Sequence, residues 1–454
     1  MRHLLPALLL LAAPALSAAA DPPAGFRALF NGKDTAGWHG YAVHDAGADP
    51  ARLMKLDAHA KAEKIAAWTA DALKHWTVEN GELVNDGKGA YLATDADLGD
   101  IELRIEYRTV PKADSGIYLR GVPQVQIWDF TDKAKFPLGA DKGSGGLWNN
   151  ALTTGGKDPL VLADKPLGEW NHFRILQVGE RTTVYLNDKL VVDHKRLDNY
   201  YYPDVPPKVK GKGQQKSPHA TVVPLLKAAP VILQTHGGEI RWRNIFVRDI
   251  PAAEANAMLL AKMTDGFTPL FDGKSLAGWA GATADYQVKD GAIVCRPKRG
   301  GNLYTDKTFT DFTFVTEYKT PPAGNNGLAI RYPGTGDPSV TGMCEVQVLD
   351  DTAKAYTKID PRQANGSVYG VFPAARGYAR PTGEWNVMAV TAKGPMIEVE
   401  LNGTRITAGD VSKATEFMRG GKPHAGLNLP SGHVGFAGHS DPVEFRNVRI
   451  KELK

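Results

Sequence analysis

The chain has 454 residues, 43% of them hydrophobic and 23% charged, with 54 basic and 50 acidic side chains and a net charge of +4. That is too apolar for a disordered chain and too charged for a protein of many membrane spans; its charge is also too balanced for nucleic acid to be the main partner, the densest basic stretch being the short 208–216. Forty-eight glycines and 30 prolines favour turns and short strands over long helices, and two cysteines, Cys295 and Cys344, make no disulfide framework and are expected to be free.

Residues 1–20 begin with a basic Arg2, continue through an apolar run from Leu4 to Leu16, and end in Ala18-Ala19-Ala20 ahead of Asp21. This is the layout of a cleaved export signal, and the run is shorter than the ~20 apolar residues of a spanning helix. The expectation is an exported protein, periplasmic or secreted, with no stable membrane insertion.

After Asp21 the chain is written twice. GFRALFNGKDTAGW (25–38) returns as GFTPLFDGKSLAGW (266–279), and WTVENGELV (76–84) as YQVKDGAIV (286–294). IEYR, DSGIYLR, QVQIWD and GEWN are answered in the same order by TEYK, NNGLAIR, EVQVLD and a second GEWN. The series closes on THGGEIRWRNIFVRDI (235–250) against GHSDPVEFRNVRIKEL (438–453). Blocks in one order imply two homologous domains, 21–250 and 264–454, joined by a helix-prone linker, 251–263. The offset falls from 241 to 210 between the first two pairs, so the first repeat holds 31 extra residues near 44–75. That insert is rich in Ala, Leu and Lys, free of Gly and Pro after Pro50, and reads as the best helix of the chain. The stretch 200–218, rich in Pro, Lys and Gly, reads as a surface loop.

The rest alternates apolar and polar residues with period two, as in ELRIEYRTV, TTVYLNDKLVV, FTFVTEYKT and IEVELNGTRI. Asn80-Gly81, Asp86-Gly87, Asp290-Gly291 and Asn402-Gly403 are hairpin signals, since such pairs accept the positive φ of tight turns between twisted strands. The expected fold class is all-β, one sandwich or jelly roll per repeat. At ~200 residues a two-sheet sandwich buries an adequate core without metals or disulfides.

Taken together, the blocks LFNGKDTAGW, VENGELV, EYR, DSGIYLR, QVQIWD, GEWN, LND and HGGEIRWRNI resemble the 3-keto-disaccharide hydrolase domain family, and the resemblance covers both repeats. It implies two tandem concanavalin-A-like, laminin-G-like β-jelly rolls, secretion by bacteria, and cleavage of glycosides oxidised at carbon 3. A ketone there acidifies the hydrogen on carbon 2; its removal gives an enolate that can expel the glycosidic oxygen from carbon 1, and water can then add back. Such chemistry needs a base near carbon 2, a cation or donor at the carbon-3 oxygen, and a proton source for the leaving oxygen.

Candidates occur in both repeats: Arg120, Gln126, Asp129 and His236 in the first, and Arg331, Glu345, Gln347, Asp350 and His439 in the second. Trp128, Trp148 and Tyr369 are candidates for stacking on a sugar. Structural readings stand beside these. Arg120 and Arg331 can pair with Glu106 and Glu317 on neighbouring strands, Asp129 and Asp350 can cap turns, and Gln126 and Gln347 can bind sugar hydroxyls only. Trp38, Trp279, Trp170 and Trp385 are expected in the core, and Arg243-Asn244 and Arg446-Asn447 are expected to anchor the last strand. No H-E-x-x-H, C-x-x-C or EF-hand pattern occurs, so a divalent ion, catalytic or a structural calcium near the acidic ATDADLGD (93–100), is an open possibility without a spacing to support it. The alternative function is a non-catalytic tandem carbohydrate-binding protein, and the sequence leaves the oligomeric state open.

Overall fold

The computed structural model describes residues 20–45, 49–203 and 222–454. The expected export signal lies outside these apart from Ala20, as do the basic stretch 208–216 and most of the loop expected over 200–218. Each repeat is a sandwich of one eight-stranded and one five-stranded antiparallel sheet. In the first repeat the larger sheet runs Lys189–Arg196, Arg181–Leu186, Asn171–Val178, Ile101–Thr109, Ile240–Asp249, Glu82–Asn85, Trp76–Glu79, with the short Arg27–Ala28 also paired to Ile240–Asp249. The smaller runs Trp38–Tyr41, Tyr91–Thr94, Ile232–Leu233, Asp114–Leu119, Val122–Trp128. The second repeat has the same two orders, its smaller sheet being Trp279–Gly281, Asn302–Thr305, His433–Ala437, Asn325–Tyr332, Cys344–Leu349. The expected pair of jelly rolls is what the chain builds.

Alternation decides which side chains fill each core. Ser115, Ile117 and Leu119, with Val125 and Ile127 on the partner strand, are fully buried between the sheets. Their neighbours Asp114, Gly116, Tyr118, Gln124, Gln126 and Trp128 therefore line the outer face of the smaller sheet. Asn80-Gly81, Asp290-Gly291 and Asn402-Gly403 make the expected tight turns, with both residues at positive φ. Asp86-Gly87 does not: the strands on either side of it belong to different sheets, so this pair starts a crossing between layers. Asn187-Asp188, at φ 49° and 63°, supplies a further hairpin turn that carries no glycine.

The insert forms helices Pro50–Leu53 and Ala58–Ala72, the second capped by Asp57 accepting from Ala60 N–H at 2.9 Å. It sits directly on the strand Trp38–Tyr41: a Cβ on Gly40 would fall 2.1 Å from the Trp68 carbonyl oxygen, and Trp68 packs on Tyr41 with ring centroids 5.4 Å apart. Gly40 N–H also donates to Thr69 Oγ1 at 3.0 Å, so the insert closes the free edge of the first repeat's smaller sheet. Trp38 and Trp279 are core residues, as expected, each donating its indole N–H to a backbone carbonyl (Leu29, Leu270). Trp170 and Trp385 are not. They are half-buried under guanidinium and ammonium groups, Arg108 and Arg243 on one, Lys319 and Arg446 on the other. Cys295 and Cys344 are buried and free.

The linker forms the helix Ala252–Ala261, whose Ala255 and Leu259 bury against Val178 of the first repeat and Val315 and Val387 of the second. Beside it a hairpin turn of one larger sheet, Gly179-Glu180, meets a hairpin turn of the other, Asn402-Gly403. Glu180 N–H donates to Gly403 O at 2.9 Å, its carboxylate accepts from the N–H groups of Leu225 and Arg405, and Arg181 donates to the buried Glu400 carboxylate. Removing one partner of a buried pair strands the other charge, at ~3 kcal/mol or more. Arg181→Met is therefore expected to lower unfolding stability by about 3 kcal/mol in urea titration; a change under about 0.5 kcal/mol, the size of an ordinary surface substitution, would show that this pair does not hold the repeats together.

Candidate functional site

On the first repeat's outer face the register sets Asp114 opposite Trp128 and Gly116 opposite Gln126. Around Asp114 a polar cluster closes. Its Oδ2 lies 2.9 Å from His236 Nδ1 and 2.7 Å from Lys135 Nζ, and its Oδ1 accepts from Gln126 Nε2 at 2.8 Å. Gln124 donates in turn to Gln126 Oε1. Burial works against ionisation of Asp114, but the hydrogen bonds from His236 and Lys135 outweigh it and hold the carboxyl below its ordinary range. The same bond raises the His236 imidazole above its usual value, against its partial burial and the neighbouring Lys135 charge. Since Nδ1 faces the carboxylate, the free ring nitrogen is Nε2. Lys135 also stands 5.4 Å from the Trp128 ring centroid, and Trp128 meets Trp148 edge-on at 6.0 Å.

In the second repeat Gly327 lies opposite Gln347 and Ala329 opposite Glu345. Position for position, Asn325 therefore replaces Asp114, Glu345 replaces Gln124, and His439 answers His236. Tyr356 stands six residues after Asp350 as Lys135 does after Asp129. These residues line a cleft of about 300 Å³, with Gln347, Tyr369 and, from the short helix Pro338–Thr341, Ser339. Gln347 donates to Asn325 Oδ1 at 2.9 Å while its own Oε1 is buried without a donor, as is Gln234 Oε1 in the first repeat. A buried acceptor left bare costs ~1–3 kcal/mol, which a sugar hydroxyl donating to it would relieve. A glycine is needed under each cluster: a Cβ on Gly327 would meet Glu345 Oε1 at 2.0 Å, and one on Gly116 would meet Gln124 Cδ at 2.9 Å. The side chains lie flat across these glycines.

Of the residues expected from sequence, Gln126 and His236 come together in the first repeat, and Glu345, Gln347, His439 and Tyr369 in the second. The arginines do not join them. Arg120 sits at the tip of the hairpin, at the opposite end from Asp114, buried and bound to Asp100 at 2.6 Å and to Leu226 O; Arg331 likewise binds Asp311 at 2.9 Å and three backbone carbonyls. Both brace loops at the back of the sandwich. Nor do they pair with Glu106 and Glu317, which take Arg243-Asn244 and Arg446-Asn447, the expected anchors of the last strand. Asp129 and Asp350 cap turns. Asp129 accepts from Lys112 N–H, Thr131 N–H and the Thr131 hydroxyl, and Asp350 repeats the pattern with Ala323 and Thr352. Those bonds prevail over burial and keep both carboxyls below their ordinary values. Trp128 is buried beneath Lys135, and Trp148 is half-buried with Lys157 4.4 Å over its ring, so neither offers a bare face on that side.

Sequence reasoning missed Asp114, Lys135, Gln124 and Gln234 in the first repeat, and Asn325 and Tyr356 in the second. A signal was there. DSGIYLR and NNGLAIR differ at their first residue, and QVQIWD and EVQVLD differ at theirs, in opposite senses: the acid moves from one strand to the next.

No three His, Cys, Asp or Glu side chains gather as a metal-binding group among the described residues. The first repeat's cluster also suits a divalent ion poorly, because the Lys135 ammonium already neutralises the Asp114 oxygen that would have to bind it. Asp95 and Asp100, from the stretch considered for calcium, turn to His39 and Arg120.

The chain is 28% identical over 250 residues to a 3-keto-disaccharide hydrolase of Bacteroides thetaiotaomicron, a match covering 46% of this chain and 86% of that one. Two solved chains from Parabacteroides distasonis, provisionally named glycosyl hydrolases, are 25% and 27% identical, with TM-scores of 0.38 and 0.37; they match 41% and 43% of this chain and 99% and 97% of their own. The profile of the 3-keto-alpha-glucoside-1,2-lyase-like domain matches residues 25–248 and again 266–451. The chain belongs to that family, carrying its domain twice.

Proposed function

We propose that this protein cleaves glycosides whose sugar is oxidised at carbon 3, by carbon-2 proton abstraction, elimination of the glycosidic oxygen and re-addition of water. The observation that carries this reading is the His236–Asp114–Lys135 cluster. Neutral His236, fixed through Nδ1, presents Nε2 as the base for the carbon-2 proton. Lys135 supplies the fixed positive charge for the oxygen that becomes the enolate, and Asp114 positions both. Once protonated, the imidazole is an acid of suitable strength for the departing oxygen. In the second repeat Glu345 takes the part of the base, with His439 and Tyr356 as proton donors. The bare Oε1 atoms of Gln234 and Gln347 accept from sugar hydroxyls, and Gln126 holds Asp114 in place. The relative named above is a 3-keto-disaccharide hydrolase, which supports the substrate class. The same reading makes residues 1–20 a cleaved signal: protein recovered from the periplasm or medium of an expressing bacterium is expected to begin at Asp21, whereas an intact Met1 chain confined to the cytoplasm contradicts export.

Turnover of a 3-keto methyl glucoside is expected to fall at least 100-fold in a chain carrying both His236→Ala and Glu345→Gln, while each change alone leaves the other repeat working. A folded double variant with native turnover removes these residues from the chemistry. Binding of unoxidised glycans without any turnover would instead favour a tandem carbohydrate-binding protein.

The pH profile gives a separate check. The His236 base form fills in only as pH rises past its raised value, so in the Glu345→Gln background activity climbs on the alkaline side of the ordinary imidazole value of 6.5. Adding Asp114→Asn removes the main cause of that rise. The limb is expected to move to lower pH, with a lower kcat; an unmoved limb rules out His236 as the titrating base.

A further inference from the structure

Eleven large hydrophobic side chains stand exposed among the described residues, and six of them, Phe136, Leu138, Leu152, Leu160, Val161 and Leu162, fall within 27 residues of the first repeat. Single exposed apolar residues need no explanation, but a concentration of them does. The loops that carry them are well tied: Trp148 Nε1 donates to Leu138 O at 3.0 Å, Leu160 N–H to Val191 O at 2.8 Å, and Lys142 binds Asp158 across the gap between two of them. Leu162 packs close over Gly143, where a Cβ would lie 2.5 Å from its Cδ1. These leucines are held out to solvent by ordered backbone.

One end of this segment adjoins the polar cluster. Phe136 follows Lys135, and Leu138 holds Trp148, which packs on Trp128 under the Lys135 ammonium. In the second repeat Ile359, at the position of Leu138, lines the cleft itself, as do Tyr356 and Tyr369 at those of Lys135 and Trp148. The Leu138 position is therefore one that, in the second repeat, faces the cleft. The rest of the patch has no counterpart there: Thr357 matches Phe136, and Ala375-Arg376-Gly377 match Leu160–Leu162 when Lys165 and Arg380 are aligned by their shared bond to Asn171 and Asn386. A pyranose ring, hydroxylated around its rim, gains little from leucines that offer no hydrogen bond. A flat apolar group does.

We infer that the first repeat carries a subsite for an aromatic aglycone, formed by this leucine-rich rim beside Trp148, so that the two repeats accept glycosides of different leaving groups. The inference rests on the reading of the first repeat as a glycoside site. The test is equilibrium binding of unoxidised phenyl and methyl glucosides, both anomers, to the full chain by tryptophan fluorescence, which needs no turnover. The phenyl glucoside is expected to bind at least tenfold more tightly than the methyl glucoside. Leu138→Ser with Leu162→Ser, and separately the highly exposed Leu160→Ser as a variant that keeps the fold, are expected to shrink that ratio while leaving methyl glucoside binding and sedimentation unchanged. Equal binding of the two glucosides, no detectable binding of either, or an undiminished ratio in the variants overturns the subsite. So does a changed sedimentation coefficient with an unchanged ratio, which would make the patch a contact between copies. Turnover of the 3-keto methyl glucoside is measured in parallel: its absence with the phenyl preference intact counts against the catalytic reading and leaves the subsite standing.

Discussion

A carboxylate on the face of a sheet, nearly closed to water, persists only if neighbours compensate its lost hydration. On the outer face of its smaller sheet each half holds one such carboxylate, Asp114 or Glu345, with the candidate site arranged around it. In the first repeat Asp114 is met by an imidazole, an ammonium and an amide. In the second, Glu345 lies one strand over, laid across Gly327, and the residue at the Asp114 position has become Asn325. The acid has moved while the histidine at the end of the Ile232–Leu233 or His433–Ala437 strand has stayed. Both faces thus keep one acid and one histidine in different pairings, while the Lys135 position carries Tyr356 in the second repeat.

The scaffold makes that exchange possible. Period-two alternation hands every second residue of Asp114–Leu119 and Val122–Trp128 to the outer face, and the glycines at 116 and 327 leave room for long polar side chains to lie flat. Behind this face the loops are braced by Arg120 and Arg331, and the last strand is fixed by Glu106 and Glu317, all repeated in both halves. What differs is what surrounds each face. The helix Ala58–Ala72 closes the edge of the smaller sheet in the first repeat, whereas the short helix Pro338–Thr341 contributes to the cleft wall in the second. The linker helix and the Arg181–Glu400 pair join the halves through their larger sheets.

Much of this was legible in the residues. The alternating strands, the helical insert and the helical linker follow from local pattern, because each is fixed by neighbours close in sequence; the Arg-Asn anchors bind glutamates 137 and 129 residues away and were legible only because both repeats carry them. The site was legible only in part. Gln126 and His236 were readable as outer-face groups, but Arg120, only six residues from Gln126, lies at the hairpin tip and faces the other way; proximity along a hairpin says little about which end a residue occupies. Asp129 looks like an acid beside a site and is consumed by two local donors of Thr131, a role that its Asp-x-Thr context permits, and by Lys112 N–H from 17 residues away. Trp170 and Trp385 looked like core because large aromatics usually are, yet flanking cations hold them on the outer surface of the larger sheet. Lys135 reaches Asp114 across 21 residues from a 3₁₀ turn, a contact no periodicity announces.

The account stands or falls on a proton leaving carbon 2. A 3-keto glucoside cleaved in D₂O, quenched with borohydride within a single turnover to stop later exchange, reports this directly by mass and NMR of the released sugar. The account predicts one deuterium at carbon 2 in the released sugar. Release of a sugar that keeps its original hydrogen there would mean direct displacement at carbon 1, and would contradict it.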